Sequence, residues 1–414
     1  MIRAVRGFND ILPGESELWR FMEEKALSVF SGYAFSEIRL PVVERTELFS
    51  RSIGETTDIV EKEMYTFKDR RGESLTLRPE CTASVVRAYI ENRLYATPVQ
   101  KLFYMGPMFR YERPQKGRYR QFYQIGAEVL GDASPRADAE AMEMLMRYLE
   151  GLGARGVELQ INSLGCGVCR PGYRQRLYDY LSSVKDSLCE NCRRRISTNP
   201  LRALDCKNPG CVEATAGAPD IIDSLCEDCR VHFHDVRSHL ETLSVGARVT
   251  PRMVRGLDYY TKTTFEVTAD GLGAQNAVAA GGRYDNLVAE LGGPETPCLG
   301  FAIGVERLAL VLKASGVERT TPLIVFIALG EEAGSRGVDV VRDLREKGLK
   351  LFEDFSTGTL KKRMKRADRL GARFVVMLGE DELKDKKVTV KDMSASRQET
   401  LSWDVVYDWI AAQC

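Results

Sequence analysis

Histidine is scarce in this chain of 414 residues, which contains only His232, His234 and His239. All three lie in one segment, so catalysis elsewhere cannot use a Ser-His-Asp or Cys-His arrangement. It must rely on other polar side chains or on a metal. Net charge is also lacking, because 59 Lys and Arg residues balance 59 Asp and Glu residues. This balance argues against a histone-like protein but leaves room for nucleic acid bound at a local basic patch.

Long apolar runs are absent as well. None approaches the roughly 18 residues that a membrane span requires. Arg3, Arg6 and Asp10 occupy positions that a secretory leader would keep apolar. We therefore expect a cytoplasmic protein with no membrane partner. The hydrophobic fraction of 44% is typical of a globular protein, and the length allows two or three domains.

Cysteine is concentrated in one segment. Eight of the 11 cysteines form four closely spaced pairs: Cys166 and Cys169, Cys189 and Cys192, Cys206 and Cys211, Cys226 and Cys229. Without an export signal, such pairs favour metal ligation over disulfides. Four pairs supply two sets of four thiolates, so we expect structural Zn²⁺ in an inserted domain at 164–240. His232 could replace one thiolate; the alternative is reduced cysteines packed as small hydrophobic residues.

Periodic patterns outside this insert predict alternating helices and strands. The predicted elements are a helix over 15–31 capped by Gly32, a strand over Ser36–Val43, a hairpin of Lys101–Arg110 and Gln121–Leu130, a helix over Ala137–Leu152, strands over Thr263–Val267 and Ala277–Ala280, a turn at Gly281 and Gly282, and a strand that becomes a helix over Leu299–Leu312.

A polar linker at 313–321 separates a C-terminal α/β domain from the rest. Strands and helices alternate beyond it, and one helix, 359–371, is strongly basic. Its apolar positions Leu360, Met364, Ala367 and Leu370 should pack on a sheet and turn the basic residues outward. Such a face is either merely solvated or binds RNA phosphates.

The hairpin and two further segments are polar enough to bind a ligand. Side chains alternate on a strand, so Phe122, Gln124 and Glu128 share a face. The hairpin's arginines suit phosphates. Glu80 and Thr82 lie beside a proline-fixed bend, and residues 255–260 combine an arginine, an aspartate and two tyrosines. The alternatives are a solvated hairpin tip and tyrosines that only pack in a core.

These segments resemble a known family. Residues 109–128, FRYERPQKGRYRQFYQIGAE, resemble motif 2 of class II aminoacyl-tRNA synthetases, residues 299–308, LGFAIGVERL, resemble motif 3, and the stretch around Pro41 is placed like motif 1. RGLDYY, AAGGRYD and the N-terminal RGFNDILP resemble segments of histidyl-tRNA synthetases. The similarity runs from about residue 1 to residue 414.

The resemblance implies an α+β catalytic core, an antiparallel class II sheet flanked by helices, at 1–163 and 241–316. A Cys-rich helical insertion domain at 164–240 and a C-terminal α/β anticodon-binding domain at 317–414 complete the chain. It also implies a homodimer and a ligase that uses ATP with Mg²⁺ to activate L-histidine and transfers it to histidine tRNA.

Roles follow from the resemblance, residue by residue. The implied histidine-binding residues are Glu80, Cys81, Thr82, Arg110, Gln124, Glu128, Arg255, Tyr259, Tyr260 and Tyr284. Those implied for ATP are Arg110, Arg118, Phe122 and Arg307. Arg255 and Arg110 are the implied catalytic residues, and Lys361, Lys362, Lys365 and Arg366 are expected to contact tRNA. Cys81 replaces an expected small or apolar residue, and the cysteine-rich insert is not a family requirement.

Three alternatives compete with this interpretation. An inactive paralogue can serve as the histidine-sensing regulatory subunit of ATP phosphoribosyltransferase, but such paralogues lack the C-terminal domain and tend to lose the ATP-site arginines. A zinc-ribbon nucleic-acid binder would explain the insert but not the hairpin. A class I synthetase would need HIGH-like and KMSKS-like signatures, and residues 391–396, KDMSAS, resemble the second only faintly.

Overall fold

A computed structural model describes residues 2–53, 57, 59–254, 259–272, 276–319 and 321–413. The chain divides into two compact units, Met1–Glu318 and Arg319–Cys414. Within the described ranges, no helix combines the length and the apolar character needed to cross a membrane.

The first unit is built around an antiparallel sheet. Its strands, over the residues described, are β1 (Ser36–Glu37), β2 (Val43–Arg45), β3 (Tyr65–Lys68), β4 (Ser74–Leu77), β5 (Gln100–Phe109), β6 (Gln121–Leu130), β7 (Val157–Ser163), β8 (Ala247–Val249), β9 (Thr261–Ala269), β10 (Ala277–Arg283) and β11 (Cys298–Gly304). Eight of them pair in the order β1-β5-β6-β11-β10-β9-β7-β8, and β2-β4-β3 form a small separate sheet. Only the outermost pairs, β1 with β5 and β7 with β8, are parallel.

The helices of this unit flank the sheet or form the insert. They are α1 (Glu15–Gly32), α2 (Thr46–Ile53), α3 (Thr82–Glu91), α4 (Pro135–Gly151), α5 (Arg170–Ser183), α6 (Glu190–Thr198), α7 (Pro209–Ala214), α8 (Glu227–Thr242), α9 (Leu287–Glu290) and α10 (Val305–Ala314). Helices α5 to α8 belong to the Cys-rich segment.

The main core lies where α1 and α4 cover one face of the large sheet. Residues at helical spacing in α1, including Met22 and Phe30, are fully buried. The Phe30 ring meets Phe103 of β5 edge to face at 5.7 Å. Ser134 is the N-cap of helix α4, where its hydroxyl accepts the Ala137 N–H, and Pro135 is the first helical residue. Apolar periodicity thus places the two helices on this face of the sheet, and a second hydrophobic cluster, which includes Leu102, Tyr104 and Leu130, packs against α3 and the insert.

The predicted hairpin is confirmed. Strands β5 and β6 pair antiparallel from Gln100 opposite Leu130 to Phe109 opposite Gln121. Residues 299–312 also change from strand to helix as expected, at Gly304.

Three local predictions were wrong. The stretch Ser36–Val43 contains only the two-residue strand β1, and β2 begins at Val43. Gly32 is the last residue of α1, and Tyr33, not Gly32, is the C-cap. Gly281 and Gly282 lie within β10 rather than in a turn. A Cβ on Gly281 would meet the Gly300 carbonyl oxygen at 2.3 Å, so close strand packing is the reason for glycine there.

The second unit is an α/β domain. Its strands are β12 (Leu323–Ala328), β13 (Leu351–Glu353), β14 (Ala372–Leu378), β15 (Lys387–Asp392) and β16 (Arg397–Ser402), and its helices are α11 (Glu331–Glu346), α12 (Leu360–Arg369), α13 (Glu380–Lys384) and α14 (Val406–Ala412). The sheet order is β13-β12-β14-β15-β16. β12 pairs in parallel with β13 and β14, whereas β14, β15 and β16 are antiparallel.

The packing of α12 differs from the prediction. Leu360 and Leu370 are 38% and 41% exposed, whereas Arg363 is only 8% exposed. The Arg363 Nε donates to Asp354 Oδ2 at 3.0 Å. Burial alone would raise the pKa of the Asp354 carboxyl. Hydrogen bonds from Ser356 and Arg363 outweigh this effect and hold the pKa of Asp354 below its ordinary value. Arg363 is therefore a buried structural residue, and the exposed cations of α12 are its neighbours.

Candidate active site and cysteine clusters

The implied histidine and ATP residues gather around one cavity of about 810 Å³. Its wall includes Glu80, Thr82, Gln124, Tyr259, Tyr260, Tyr284, Arg110, Arg118, Phe122 and Arg307. Arg255 lies outside the described residues, but Val254 and Tyr259 on either side of that gap both line the cavity. Segments far apart in sequence therefore meet at one site.

The turn before α3 supplies an acidic corner. Glu80 accepts the backbone N–H groups of Thr82 and Ala83, at 2.7 and 2.9 Å, and so caps the helix. Burial raises the pKa of the Glu80 carboxyl. Cys81, between Glu80 and Thr82, is completely buried in a hydrophobic cluster and is not part of the cavity wall. In this structure it supports the turn rather than facing the cavity.

Glu128 lies one layer beneath the wall, since its exposed fraction is 0%. Its two oxygens accept the hydroxyls of Thr82 and Tyr284, at 2.7 and 2.6 Å. Burial raises the pKa of Glu128 to about 8, despite these two donors. A Cβ on Gly300 would lie 1.5 Å from Glu128 Oε2, so only glycine leaves room for the carboxyl. The structure thus connects Glu128 to the cavity through Thr82 and Tyr284.

Gln124 brings an amide to the same face of β6. Its Oε1 is buried and finds no hydrogen-bond partner among the residues the structure describes. A buried acceptor without a partner costs free energy. The position on the cavity wall makes this oxygen available to a donor on a ligand.

Three tyrosines form the adjoining wall. The rings of Tyr259 and Tyr260 lie 4.9 Å apart, and Tyr259 meets Tyr284 edge to face at 5.7 Å. All three are largely buried, and burial raises the pKa of the Tyr259 and Tyr284 hydroxyls well above the ordinary range. The Tyr259 and Tyr284 hydroxyls therefore stay neutral and can act as hydrogen-bond donors.

Three arginines converge at the other end of the cavity. The guanidinium of Arg110 lies 5.2 Å from the centre of the Phe122 ring, and its Nε donates to the Pro79 carbonyl at 2.8 Å. Arg307 Nη1 donates to the Ala277 carbonyl at 2.6 Å. Burial lowers the pKa of the Arg307 guanidinium, and the charges of Arg118 and Arg110 lower it further. Like charges held this close favour an anionic ligand.

Motif 3 is anchored to motif 2 by Glu306. Both of its carboxylate oxygens accept the Tyr123 N–H, at 3.0 and 3.1 Å. Burial raises the pKa of Glu306 to about 7. This contact places Arg307, the next residue, beside the hairpin arginines.

Several cavity residues escaped the sequence analysis. Glu112 is buried and pairs with Arg118, and Tyr104 and Glu266 also line the wall. The insert contributes a basic group, Arg195, Arg202 and Lys207. The sequence offers one signal for Glu112 as a site residue, because it is a single acid among the five cations of residues 110–120. Nothing in the sequence indicates that the insert reaches the cavity.

The eight cysteines of the insert gather into two clusters of four. The first cluster is Cys166, Cys169, Cys226 and Cys229, and the second is Cys189, Cys192, Cys206 and Cys211. Cys166 Sγ lies 3.8 Å from Cys169 Sγ and 3.7 Å from Cys226 Sγ, and Cys189 Sγ lies 3.9 Å from Cys206 Sγ. A tetrahedral ion with Zn–S bonds of about 2.3 Å separates sulfurs by about 3.8 Å, whereas a disulfide requires about 2.05 Å. Each cluster has the geometry to hold a metal ion.

His232 belongs to neither cluster. It is buried, with Nε2 3.4 Å from Asp138 Oδ1. Asp138 also accepts hydrogen bonds from Nε and Nη2 of the fully buried Arg283. The histidine thus joins α8 to the core, and its suggested replacement of a thiolate was wrong.

Comparison with known proteins identifies the family. The sequence-family model for histidyl-tRNA synthetases matches residues 7–169 and 207–308. The chain belongs to the histidyl-tRNA synthetase family. An anticodon-binding-domain model matches residues 324–413, and the unmatched 170–206 fall within the insert.

Full-length relatives agree with this assignment. The chain is 55% identical to a histidine–tRNA ligase of Syntrophotalea carbinolica over 402 residues, which are 97% of this chain and 96% of the relative. It is also 55% identical to one of Geobacter sulfurreducens over 399 residues, 96% of each. The crystal structure of apo histidyl-tRNA synthetase from S. aureus superposes with a TM-score of 0.78, at 37% identity over 99% of both chains. The class II fold with its C-terminal domain is confirmed, and the regulatory-subunit and zinc-ribbon alternatives are not supported.

Proposed function

We propose that this chain is a ligase that joins L-histidine to histidine tRNA in two steps. The histidine carboxylate attacks the α-phosphorus of ATP and releases pyrophosphate, and the tRNA 3′-terminal hydroxyl then attacks the carbonyl carbon of histidyl-adenylate and releases AMP. The observation that carries the proposal is the single cavity, with hydrogen-bonding groups for histidine at one end and three converging arginines at the other. The substrates of this reaction are found in the cytoplasm, and we place the enzyme there.

Histidine occupies the end with the acids and tyrosines. Its ammonium contacts Glu80, Thr82 and the unpartnered Gln124 oxygen, since these supply acceptors. Its imidazole lies against Tyr260 and Tyr259, where Glu128, reached through Thr82 and Tyr284, supplies negative charge. A ligand without the ring N–H would leave these buried groups unpaired, so such isosteres are rejected.

ATP occupies the arginine end. Its adenine packs on Phe122, Arg110 binds the α-phosphate, and Arg118 and Arg307 bind the tail phosphates. Glu112 and Glu266 line the same end and offer the oxygen ligands that Mg²⁺ prefers. The ion would neutralise the charge of the polyphosphate.

Arg255 is proposed as the catalytic cation, together with Arg110. Attack on the α-phosphorus builds negative charge at that centre, and a fixed cation stabilises it more strongly than the ground state. Support comes from the cavity-lining residues on both sides of Arg255 and from its match to the family's catalytic arginine.

A surface of the second unit is proposed to contact tRNA. Four cations on α12 are exposed: Lys361, Lys362, Lys365 and Arg366. Phe355 nearby in the chain is 80% exposed, and the Arg366 guanidinium lies 5.9 Å from the Phe352 ring centre. Cations for phosphates combined with aromatic rings for bases are typical of single-stranded RNA recognition.

Structural zinc and a homodimer complete the proposal. Both cysteine clusters would hold Zn²⁺, and because each offers four thiolates, the ions would have no open position for catalysis. Motif 1, around Pro41, would form the dimer interface. Elemental analysis tests the first point and light scattering the second.

The decisive assay for the function is ATP–pyrophosphate exchange with and without L-histidine. We expect exchange that depends on histidine and not on other amino acids, followed by charging of histidine tRNA. Histidine binding without exchange would instead support a sensor.

A further inference from the structure

The first cysteine cluster closes the base of the insert. Cys166 and Cys169 lie in the turn between β7 and α5, and Cys226 and Cys229 lie at the start of α8. The Cys166 N–H donates to Cys169 Sγ at 3.1 Å, and the Val168 N–H points to Cys166 Sγ at 3.4 Å. Backbone donors of this kind orient thiolates and stabilise their charge. A metal here would tie the two ends of the insert together.

The same turn is bonded to the strand that follows the histidine-site tyrosines. The Leu164 N–H donates to the Lys262 carbonyl at 2.7 Å, and the Lys262 N–H donates to the Gly165 carbonyl at 2.8 Å. Lys262 has a φ of +47°, which is unfavourable for a residue with a side chain. These two hydrogen bonds hold it there.

Arg170, the residue after Cys169, makes the most direct connection. Its Nη2 donates to the Tyr260 carbonyl at 2.5 Å and to the Gly165 carbonyl at 3.3 Å, and its Nε donates to the Leu164 carbonyl at 3.2 Å. One guanidinium therefore joins the metal-binding turn to the backbone of a residue in the histidine pocket. The side chain of Tyr260 lies on the cavity wall.

The second cluster has a different setting. Its four cysteines lie in the middle of the insert, between Cys189 and Cys211, and the hydrogen bond from the Cys189 N–H to Cys211 Sγ, 3.1 Å, stays within that stretch. Arg174, one turn after Arg170 on α5, likewise donates to the Thr198 carbonyl within the insert. Arg174 therefore serves as an internal control for Arg170. The second cluster serves as a control for loss of an ion from the insert, and because Arg195, Arg202 and Lys207 in the same stretch line the cavity, its loss also tests whether the insert affects histidine by a route other than Arg170.

We propose that a metal ion in the first cluster, acting through Arg170, fixes the Tyr259–Tyr260 wall and thereby sets the affinity for histidine. This inference rests on the proposed histidine and zinc sites. Losing the ion frees the Cys166–Cys169 turn, which loosens Arg170 and the backbone of Tyr260. Arg170 is a positioning residue, so histidine binding should weaken while the chemical step on bound substrates is kept.

The first test separates Arg170 from the metal. In the full-length enzyme loaded with ZnSO₄, Arg170→Ala should keep both zinc ions and raise the histidine KM in pyrophosphate exchange about tenfold, as expected for a lost charge-assisted hydrogen bond. Its kcat and ATP KM should stay within about twofold. Arg170→Lys, which keeps one donor, should recover part of the loss, and Arg174→Ala should resemble the wild type. An unchanged histidine KM in Arg170→Ala would overturn the coupling.

The second test removes one ion at a time. Cys226→Ser should lose one zinc per chain and raise the histidine KM, whereas Cys189→Ser should lose one zinc and leave that KM within about twofold. Equal effects of the two variants would indicate general loosening of the insert and overturn the inference. A wild-type enzyme that binds no zinc would refute the metal site itself. The histidine KM of Arg170→Ala would then still show whether Arg170 positions the Tyr259–Tyr260 wall. Absence of histidine-dependent exchange in the wild type would instead refute the proposed function.

Discussion

Glu128 should make histidine binding depend on pH. Its carboxyl is completely buried, with a pKa raised to about 8 by burial. In the proposed site the histidine ammonium and ring would bind on the other side of Thr82 and Tyr284, and nearby positive charge favours the ionised carboxylate. Histidine binding should therefore release a proton from Glu128 at neutral pH.

The size of the effect follows from that pKa. With a pKa of about 8, roughly nine-tenths of the free enzyme carries a protonated Glu128 at pH 7 and about half at pH 8. If the ionised form binds, the Kd for histidine should fall about fivefold from pH 7 to pH 8. Over this range the ligand's ammonium stays charged and its imidazole is mostly neutral.

Calorimetric titration of the enzyme with histidine, without ATP, measures both the number of protons released and the Kd. Titrations in two buffers with different ionisation enthalpies should report nearly one proton released at pH 7 for the wild type. Glu128→Gln should lose most of this release and the pH dependence, because the carboxyl that titrates near pH 8 is removed while Glu80 remains. It should also bind histidine more weakly, since one acceptor for Thr82 or Tyr284 is replaced by a donor. Equal proton release by the two proteins would refute the assignment.

The same raised pKa affects folding. Because the native carboxyl holds its proton more tightly than the unfolded chain does, its contribution favours the native state at low pH and is lost as the pH rises from the ordinary value of 4.5 through about 8. Chemical denaturation should show less of this decline in Glu128→Gln.

Three further predictions concern other parts of the chain. Arg255→Ala should slow pyrophosphate exchange on the order of 10²–10³-fold with nearly unchanged histidine binding, and near wild-type exchange would remove it from catalysis. Reversing charge at Lys362 and Arg366 should weaken tRNA binding and reduce its salt dependence by about one unit of slope per lost phosphate contact, without affecting histidine activation; unchanged tRNA affinity would move the interface elsewhere. Arg363→Ala should destabilise the second unit by about 1.5–3 kcal/mol, because the buried Asp354 loses a charge-assisted hydrogen bond and keeps Ser356 and the more distant Arg366 as partners. A melting temperature like that of the wild type would contradict the structural role.

Local sequence patterns determined much of this protein. The β5–β6 hairpin is predictable because two runs rich in apolar and aromatic residues flank a basic segment that contains proline and glycine. The change from strand to helix at Gly304 follows from a change of period. The strings around Arg110 and Arg307 indicate the family directly, because so many polar residues at set spacings have few other uses.

Only the tertiary structure decided which residues face the ligand. Strand alternation places Glu128 on the cavity side, yet its burial beneath Thr82 and Tyr284 depends on the close approach of Gly300 from β11. Likewise, α12 periodicity cannot show that Arg363 turns inward, since its partner Asp354 comes from another segment.

The partition of the cysteines is the clearest case. Spacing indicates four pairs, but four pairs can combine into two tetrahedral sets in several ways. The fold of the insert sets the combination. It brings Cys226 and Cys229 next to the turn of Cys166 and Cys169, and the two middle pairs, Cys189 with Cys192 and Cys206 with Cys211, form the other cluster. Contacts between residues distant in the chain depend on how the elements pack, and a local pattern carries no record of that packing.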